Sequence, residues 1–220
     1  MAQNYWNDFY SKGSFKEGPS EFLLQSEHRL KKGKLLDIAM GEGQDSLYLA
    51  SKGFEVKGFD ISSVAIEKVN KQAGLKALPV VAKQTDLDMY IFGIMEYDTI
   101  IMNYFKPSQR YWSEIIRALK QGGTLLIESY TSEEADLESS KHPYKDFYFN
   151  SNEILYNLKG LRILVYIEDV FNGKHGVRCL AQKPQDKDAL KYNLFGMATQ
   201  GSSDEKSKQY KLAEAFFKKK

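Results

Sequence analysis

Between residues 34 and 129 short apolar runs alternate with amphipathic ones, and no other feature of the sequence limits the possible folds as much. Runs apolar enough for burial on both faces read as parallel strands, and the amphipathic stretches between them as helices that cover the sheet. Leu35, Leu36, Ile38 and Ala39 form the first expected strand; a helix containing Ser46 to Ala50 follows, closed by Gly53 in the left-handed conformation. Phe54 to Asp60 is the second strand. Ser62 or Ser63 caps the next helix, where Ala65, Val69 and Ala73 make one stripe and Gly74 ends it. A third strand, Val80 to Gln84, starts beside Pro79, and Tyr97 to Met102 is the fourth. In the helix expected over Ser108 to Lys120, Trp112, Ile115, Ile116 and Leu119 share a face; Gly122 and Gly123 terminate it before a fifth strand, Thr124 to Glu128.

The pattern then changes. Residues 130 to 148 are polar and aromatic without a period, as in a loop or lid over the carboxyl edge of a sheet. Asn150 with Glu153 resembles a capping box opening a short helix that Gly160 closes. Leu161 to Val170 and Val177 to Gln182 flank Asn172-Gly173, a hairpin signal because both turn positions need positive φ. The expected fold is α/β: a Rossmann-like, doubly wound, mostly parallel seven-stranded sheet ending in a C-terminal antiparallel hairpin. Residues 1–33 read as an aromatic N-terminal lid and helix, 34–184 as the ligand-binding domain. Residues 185–220 read as a polar, partly mobile extension in which Leu212, Phe216 and Phe217 could form a docking helix.

Composition narrows the function classes. Lys and Arg total 31 against 29 Asp and Glu, a net charge of +2, so no strong field draws nucleic acid or anionic lipid. Cys179 is the sole cysteine, which excludes an internal disulfide and argues against a thiolate metal cluster, and no metal is expected. MAQNYWNDFY lacks the pattern of a signal peptide, and no stretch reaches the roughly 18 to 20 apolar residues of a membrane span. The expectation is a cytoplasmic protein of undetermined oligomeric state that does not engage a membrane.

The chemistry concentrates in Leu35-Leu36-Asp37-Ile38-Ala39-Met40-Gly41-Glu42-Gly43-Gln44-Asp45-Ser46, a strand, a tight turn and a helix start. Gly41 and Gly43 let a flat ligand approach the backbone, although a steric need of the turn alone would also call for glycine. Asp60 ends the next strand 23 positions after Asp37, close to the offset of ~20 at which an acid meets a ribose diol in such folds. A dinucleotide diphosphate wants bare amides, no acidic neighbours and a third glycine. Here Ser46 takes that glycine's place and Glu42 and Asp45 flank the helix start, which suits a phosphate-free cationic ligand, S-adenosylmethionine, better than NAD.

LLDIAMGEGQDSLYLASKGFEVKGFDIS resembles the first two motifs of class I S-adenosylmethionine-dependent methyltransferases. YWNDFYSKG with Gly18-Pro19-Ser20 resembles the tellurite-resistance group called TehB-like, and the resemblance covers about residues 5 to 184. Ala39 departs from it, standing where the family's first glycine lies, and so does Met40, where a small residue or cysteine is common. The resemblance implies that Asp37 and the backbone at Ala39 and Gly41 face the amino-acid end of the cofactor, with Gly43 completing the loop. By the same resemblance Asp60 takes the ribose, Ile61 lies against adenine, Asp86 with Leu87 behind it meets the adenine amino group, and Asn103 and Tyr104 line the region near the methyl. Read on their own, Asp86 and Asp88 are equally turn carboxylates, Asn103 a turn cap, and Tyr104 or Phe105 core aromatics.

An acceptor would enter above Gly41, Asn103 and Glu128, outside the carboxyl ends of the strands. Tyr5, Trp6, Phe9 and Tyr10 could fold over the site; His175, with Arg178 near it and Glu168 on the partner strand, could reach the acceptor or simply sit exposed on the hairpin, and His142 is equally ambiguous. The catalytic candidates are His175, Tyr104, Asn103 and Tyr10. A dedicated base is optional, since alignment alone supplies up to about 7 to 11 kcal/mol in favourable cases, and a deprotonated thiol or chalcogen anion needs none. The expected activity is methyl transfer to a small molecule, such as a thiol, a chalcogen oxyanion or a small metabolite. The alternatives are a non-catalytic cofactor-binding protein, an NAD(P)-linked oxidoreductase, and a methyltransferase acting on protein or RNA, the last hinted at only by Lys218 to Lys220.

Overall fold

The computed structural model describes residues 2–13, 15, 18–137 and 147–185, all within one compact unit. Their elements run α1 (Ala2–Lys12), α2 (Glu21–Ser26), a 3-10 turn (Glu27–Arg29), β1 (Lys34–Ile38), α3 (Gln44–Ser51), β2 (Glu55–Asp60), α4 (Ser63–Leu75) and β3 (Val80–Gln84). A 3-10 turn (Leu87–Met89), β4 (Tyr97–Asn103), α5 (Tyr111–Ala118), β5 (Leu119–Tyr130), α6 (Ser132–Ala135), α7 (Glu153–Asn157), β6 (Arg162–Phe171) and β7 (Lys174–Gln182) complete them. His142, Leu212, Phe216, Phe217 and Lys218 to Lys220, and with them the expectations for the extension, lie outside the described residues.

The seven strands are ordered β3-β2-β1-β4-β5-β7-β6, the first five neighbours parallel and β7 antiparallel to both β5 and β6. The chain runs outward through β1, β2 and β3 and returns to place β4 on the other flank of β1. The reversal leaves a crevice at the carboxyl ends of β1 and β4, where ligands of open α/β sheets lie. The terminal hairpin closes through Asn172 (φ 50°) and Gly173 (φ 77°), the paired left-handed residues that its sequence requires.

Both faces of the sheet are covered. Leu36, Ile38, Ile100, Met102, Leu125 and Ile127 meet Trp112 and Ile115 of α5 on one side, and Leu35, Ile101, Leu126 and Leu180 meet Phe22, Leu23 and Leu49 on the other. The central strands β1, β4 and β5 therefore read as continuous apolar runs, whereas the edge strands β3 and β6 keep exposed residues.

Several element ends differ from expectation, among them the starts of α5, at Tyr111 instead of Ser108, and of β7, at Lys174 instead of Val177. The helix expected to Lys120 stops at Ala118, and Leu119, extended at φ −70° and ψ 134°, opens a strand that continues to Tyr130. Leu119 is buried either way, so its place on the helical stripe did not distinguish the two states; Gly122 (φ 71°) sits where the β4 and β5 registers slip between Tyr97 and Thr99. Ser62 caps α4, its hydroxyl accepting from the Ala65 amide, but Gly74 lies inside the helix and Ala77 (φ 48°) makes the reversal. Before α7 only half of the capping box forms: the Glu153 carboxylate accepts from the Asn150 amide, while Asn152 (φ 61°) holds the cap position.

Candidate functional site

The loop between β1 and α3 has three left-handed residues in five: Ala39 (φ 55°), Gly41 (φ 52°) and Gly43 (φ 72°). The Met40 amide donates to Phe59 O at 3.0 Å, and the Gly43 amide to Met40 O at 2.9 Å, which pins the turn to β2. A Cβ on Gly43 would lie 2.9 Å from Val69 Cγ2, so this glycine serves close packing of the loop on α4. Met40 fits because Gly58 is bare: a Cβ there would lie 2.5 Å from the Met40 sulfur. Ala39 has no such relief. An L-residue with a Cβ in this region bears about 1–2 kcal/mol of strain, and Ala39 bears it where glycine is usual.

Asp60, buried at the end of β2, holds this loop. One carboxylate oxygen accepts from the Gly41 amide at 2.9 Å and the other from the Ser62 amide at 2.8 Å. Burial raises its pKa and the amides partly restore it. The Gly41 amide, which a diphosphate on this loop would seek, is thus already bound to a carboxylate, which weighs against a dinucleotide. A carboxylate has about four acceptor positions, so both oxygens keep capacity for the hydroxyls of a sugar.

Strand register aligns four more polar side chains. Asp37 of β1, Asn103 of β4, Glu128 of β5 and Arg178 of β7 continue the rows of Leu35, Ile101, Leu126 and Leu180, and so share the face covered by α2 and α3. The Ser46 hydroxyl donates to Asp37 at 2.7 Å; burial raises the Asp37 pKa well above its ordinary value and that bond opposes the rise. The Asn103 amide nitrogen donates to Asp45 at 2.6 Å while its oxygen accepts from the Glu128 amide at 2.9 Å. Asp45 also accepts from the Ser20 amide at 2.7 Å, joining the starts of α2 and α3. Arg178 donates to Glu128 Oε1 at 2.8 Å and to Glu21 at 3.3 Å. Glu128 Oε2 has no hydrogen-bond partner although it is buried, the only such side-chain atom among the described residues. A buried polar group left so costs about 1–3 kcal/mol.

Helix α1 lies over the loop. Lys68 donates to Tyr10 O at 2.6 Å, Gly13 O at 3.0 Å and Glu42 Oε1 at 2.6 Å, and Asn7 Oδ1 accepts from the Ser62 hydroxyl at 2.7 Å. The Tyr10 hydroxyl stands directly above Gly41, 2.7 Å from where a Cβ would be. Trp6 stacks on Tyr10, with ring centroids 5.9 Å apart, and meets Phe147 edge-on. Burial, followed by the charges of Asp60, Glu42 and Asp37, drives the Tyr10 pKa far above that of an ordinary phenol; burial and Glu128 do the same to Tyr104. Both phenols therefore stay protonated near neutral pH, and the role of base among the four catalytic candidates is unsuited to either. Tyr104 is also strained, a bulky residue at φ 52° just past β4.

The ends of β2 and β3 border a cavity of about 330 Å³, lined by Ala2, Gln3, Ile61, Gln84, Thr85 and Asp86. Ile61 and Asp86 are thus placed together. Asp86 also accepts from the Asp88 amide at 3.0 Å, capping the turn there. Leu87 packs against the core and is not among the cavity's lining residues. His175 is removed from this constellation: it lies on β7 opposite Val170, its amide donating to Glu134 at 2.9 Å. Glu168, considered with it, binds the Ser151 hydroxyl and the Asn152 amide instead. The sequence reading missed the links through Lys68 and between Asp45 and Asn103; the basic residue one turn into α4 was a signal for the first, but the second needs the strand order.

The methyltransferase domain family model matches residues 35–123. Over 110 residues, 46% of this chain and 44% of the relative, the sequence is 29% identical to the putative methyltransferase YqeM of Bacillus subtilis. Over 107 residues, 48% of this chain and 25% of the relative, it is 31% identical to a 23S rRNA (uracil(747)-C(5))-methyltransferase of Pyrococcus horikoshii. The matched stretch thus spans less than half the length of these curated relatives. The structure of TehB from Haemophilus influenzae superposes with a TM-score of 0.64 over 81% of this chain and 67% of that one, at 20% identity. Residues 35–123, which carry the glycine loop, Asp60 and Asn103, match the methyltransferase domain family. The likeness to TehB is one of fold.

Proposed function

We propose that this chain transfers the methyl group of S-adenosylmethionine to a small-molecule acceptor by in-line displacement. The observation that carries the reading is Asp60, which accepts from the Gly41 and Ser62 amides yet keeps acceptor capacity, beside a loop of left-handed residues at the sheet's reversal point. When bound, the cofactor supplies a methyl on a sulfonium. Asp60 would hold the ribose, Ile61 and Asp86 the adenine in the cavity at β2 and β3, and Asp37 with the backbone at Ala39 and Gly41 the amino-acid end. Leu87 backs Asp86 from the core, Asn103 would lie near the methyl, and α1 would exclude water. The TehB-like resemblance supports a small acceptor.

Thermal unfolding tests this. S-adenosylmethionine and S-adenosylhomocysteine at about a hundredfold excess over Kd should each raise Tm by roughly 5 to 10 °C, with NAD without effect. Asp60→Ala should lower the unliganded Tm and remove most of the rise; an undiminished rise would take Asp60 out of the site. The Pyrococcus relative raises an RNA acceptor as a second reading. The acids of the crevice, Asp37, Glu42, Asp45, Asp60 and Glu128, oppose a polyanion there, and methylation of bulk rRNA but of no small acceptor would reverse the preference.

A further inference from the structure

Resting on the methyltransferase reading, we propose that Glu128 recognises the acceptor and that the acceptor is a small amine, not a thiolate or an oxyanion. Three observations converge on this residue. Its Oε2 is buried and makes no hydrogen bond, while Oε1 is fixed by Arg178 at 2.8 Å and the Ser20 hydroxyl also acts on the carboxylate, so the free oxygen has a set direction and capacity for a further donor. Its backbone amide is held by Asn103, whose own amide group binds Asp45 at the start of α3, so Glu128 is tied to the cofactor loop by one continuous chain of hydrogen bonds. Tyr104, half exposed and strained, lies within range of its charge at the carboxyl ends of β4 and β5, where an acceptor would enter.

Charge selects the class of molecule. Asp37, Glu42, Asp45, Asp60 and Glu128 gather at the strand ends and the loop with Lys68 and Arg178, both engaged with acids, while Lys174 lies further out over the Tyr130 ring beside Tyr104. An anionic nucleophile would enter against this field, whereas an ammonium group is drawn in and supplies a further donor. The step balances. Glu128 takes one proton from the ammonium, which frees the lone pair; the lone pair forms the N–C bond as the C–S bond breaks and its electron pair stays on sulfur. The product leaves as an ammonium of unchanged charge, and Glu128 returns its proton to solvent.

The test measures S-adenosylhomocysteine formation by the full chain with ethanolamine, histamine and phenethylamine, and in parallel with 2-mercaptoethanol and selenite. Turnover is expected with at least one amine and with neither of the others. Glu128→Gln should raise KM for that amine at least tenfold and lower kcat, leaving KM for S-adenosylmethionine unchanged. Should that variant fold poorly, Glu128→Leu with Arg178→Met replaces the ion pair by an apolar one and should lose the amine while keeping the rise in Tm with S-adenosylhomocysteine. Methylation of selenite or the thiol, methylation of no amine, or full amine turnover by both variants overturns the proposal. Absence of any Tm rise in the unaltered chain would instead sink the methyltransferase reading beneath it.

Discussion

At the scale of single residues, two backbone outliers mark the crevice. Ala39 and Tyr104 take φ values of 55° and 52° at the carboxyl ends of β1 and β4, the two strands between which the chain reverses. Strain of this kind persists where the surroundings over-determine it and gathers at functional sites. Ala39→Gly should release about 1–2 kcal/mol of it, offset by about 0.4–1 kcal/mol of unfolded-chain entropy. The expected result is a gain in stability of up to about 1.5 kcal/mol by urea denaturation. Ala39→Val adds a branched Cβ at the same φ and should destabilise by more than that gain; equal stability of all three chains would remove the strain argument. The identities of Asp37, Ala39, Gly41, Gly43 and Asp60 were legible because a strand, a turn and an acid recur at fixed spacing along one stretch. Glu128 could be placed at the acceptor's entrance, but its bond to Arg178, 50 positions away, and the oxygen that bond leaves free could not be read from the sequence.

At the scale of elements, α1 illustrates how a helix can matter to a site without belonging to the core. None of its residues is fully buried, yet Tyr10 covers Gly41 and Ala2 and Gln3 wall the cavity at β2 and β3. Deleting residues 2–12 should therefore lower the unliganded Tm only slightly while raising Kd for S-adenosylhomocysteine at least tenfold, both measurable by calorimetry. A large loss of Tm would make α1 part of the folding unit, and an unchanged Kd would deny it a role in binding. The strands and the Asn-Gly hairpin could be read from sequence because apolar runs and paired left-handed residues are local signals. The end of α5 could not: Leu119 is buried in a helix or a strand alike, and only pairing with Tyr97 decides for the strand. Likewise Gly74 looked like a stop, but a glycine inside a helix costs only about 1 kcal/mol, and α4 runs through it to Leu75.

For the whole molecule, buried acids set the response to pH. Burial raises the pKa values of Asp37, Asp45, Asp60 and Glu128 from ordinary values of 3.8 for Asp and 4.5 for Glu. The folded chain then binds more protons than the unfolded one above those values, so stability falls as pH rises from about 4.5. Asp98 behaves oppositely: burial pushes its pKa up, but hydrogen bonds from Lys120 and the Lys34 amide prevail and hold it low, so its contribution is lost only below 3.8. Unliganded Tm should decrease between pH 5 and 7, whereas the rise produced by cationic S-adenosylmethionine should grow as the acids ionise. A Tm that climbs over this range would contradict the burial of these carboxylates. The sheet also divides in two at β4: the family match ends at residue 123, inside β5, so most of β5 and all of β7 and β6 lie beyond it. Everything proposed to grip the nucleoside lies on one flank and Glu128 and Arg178 on the other, joined through Asn103. Grafting the C-terminal strands of a similarly folded protein onto this chain would then exchange one acceptor for another while the nucleoside-binding half is inherited intact.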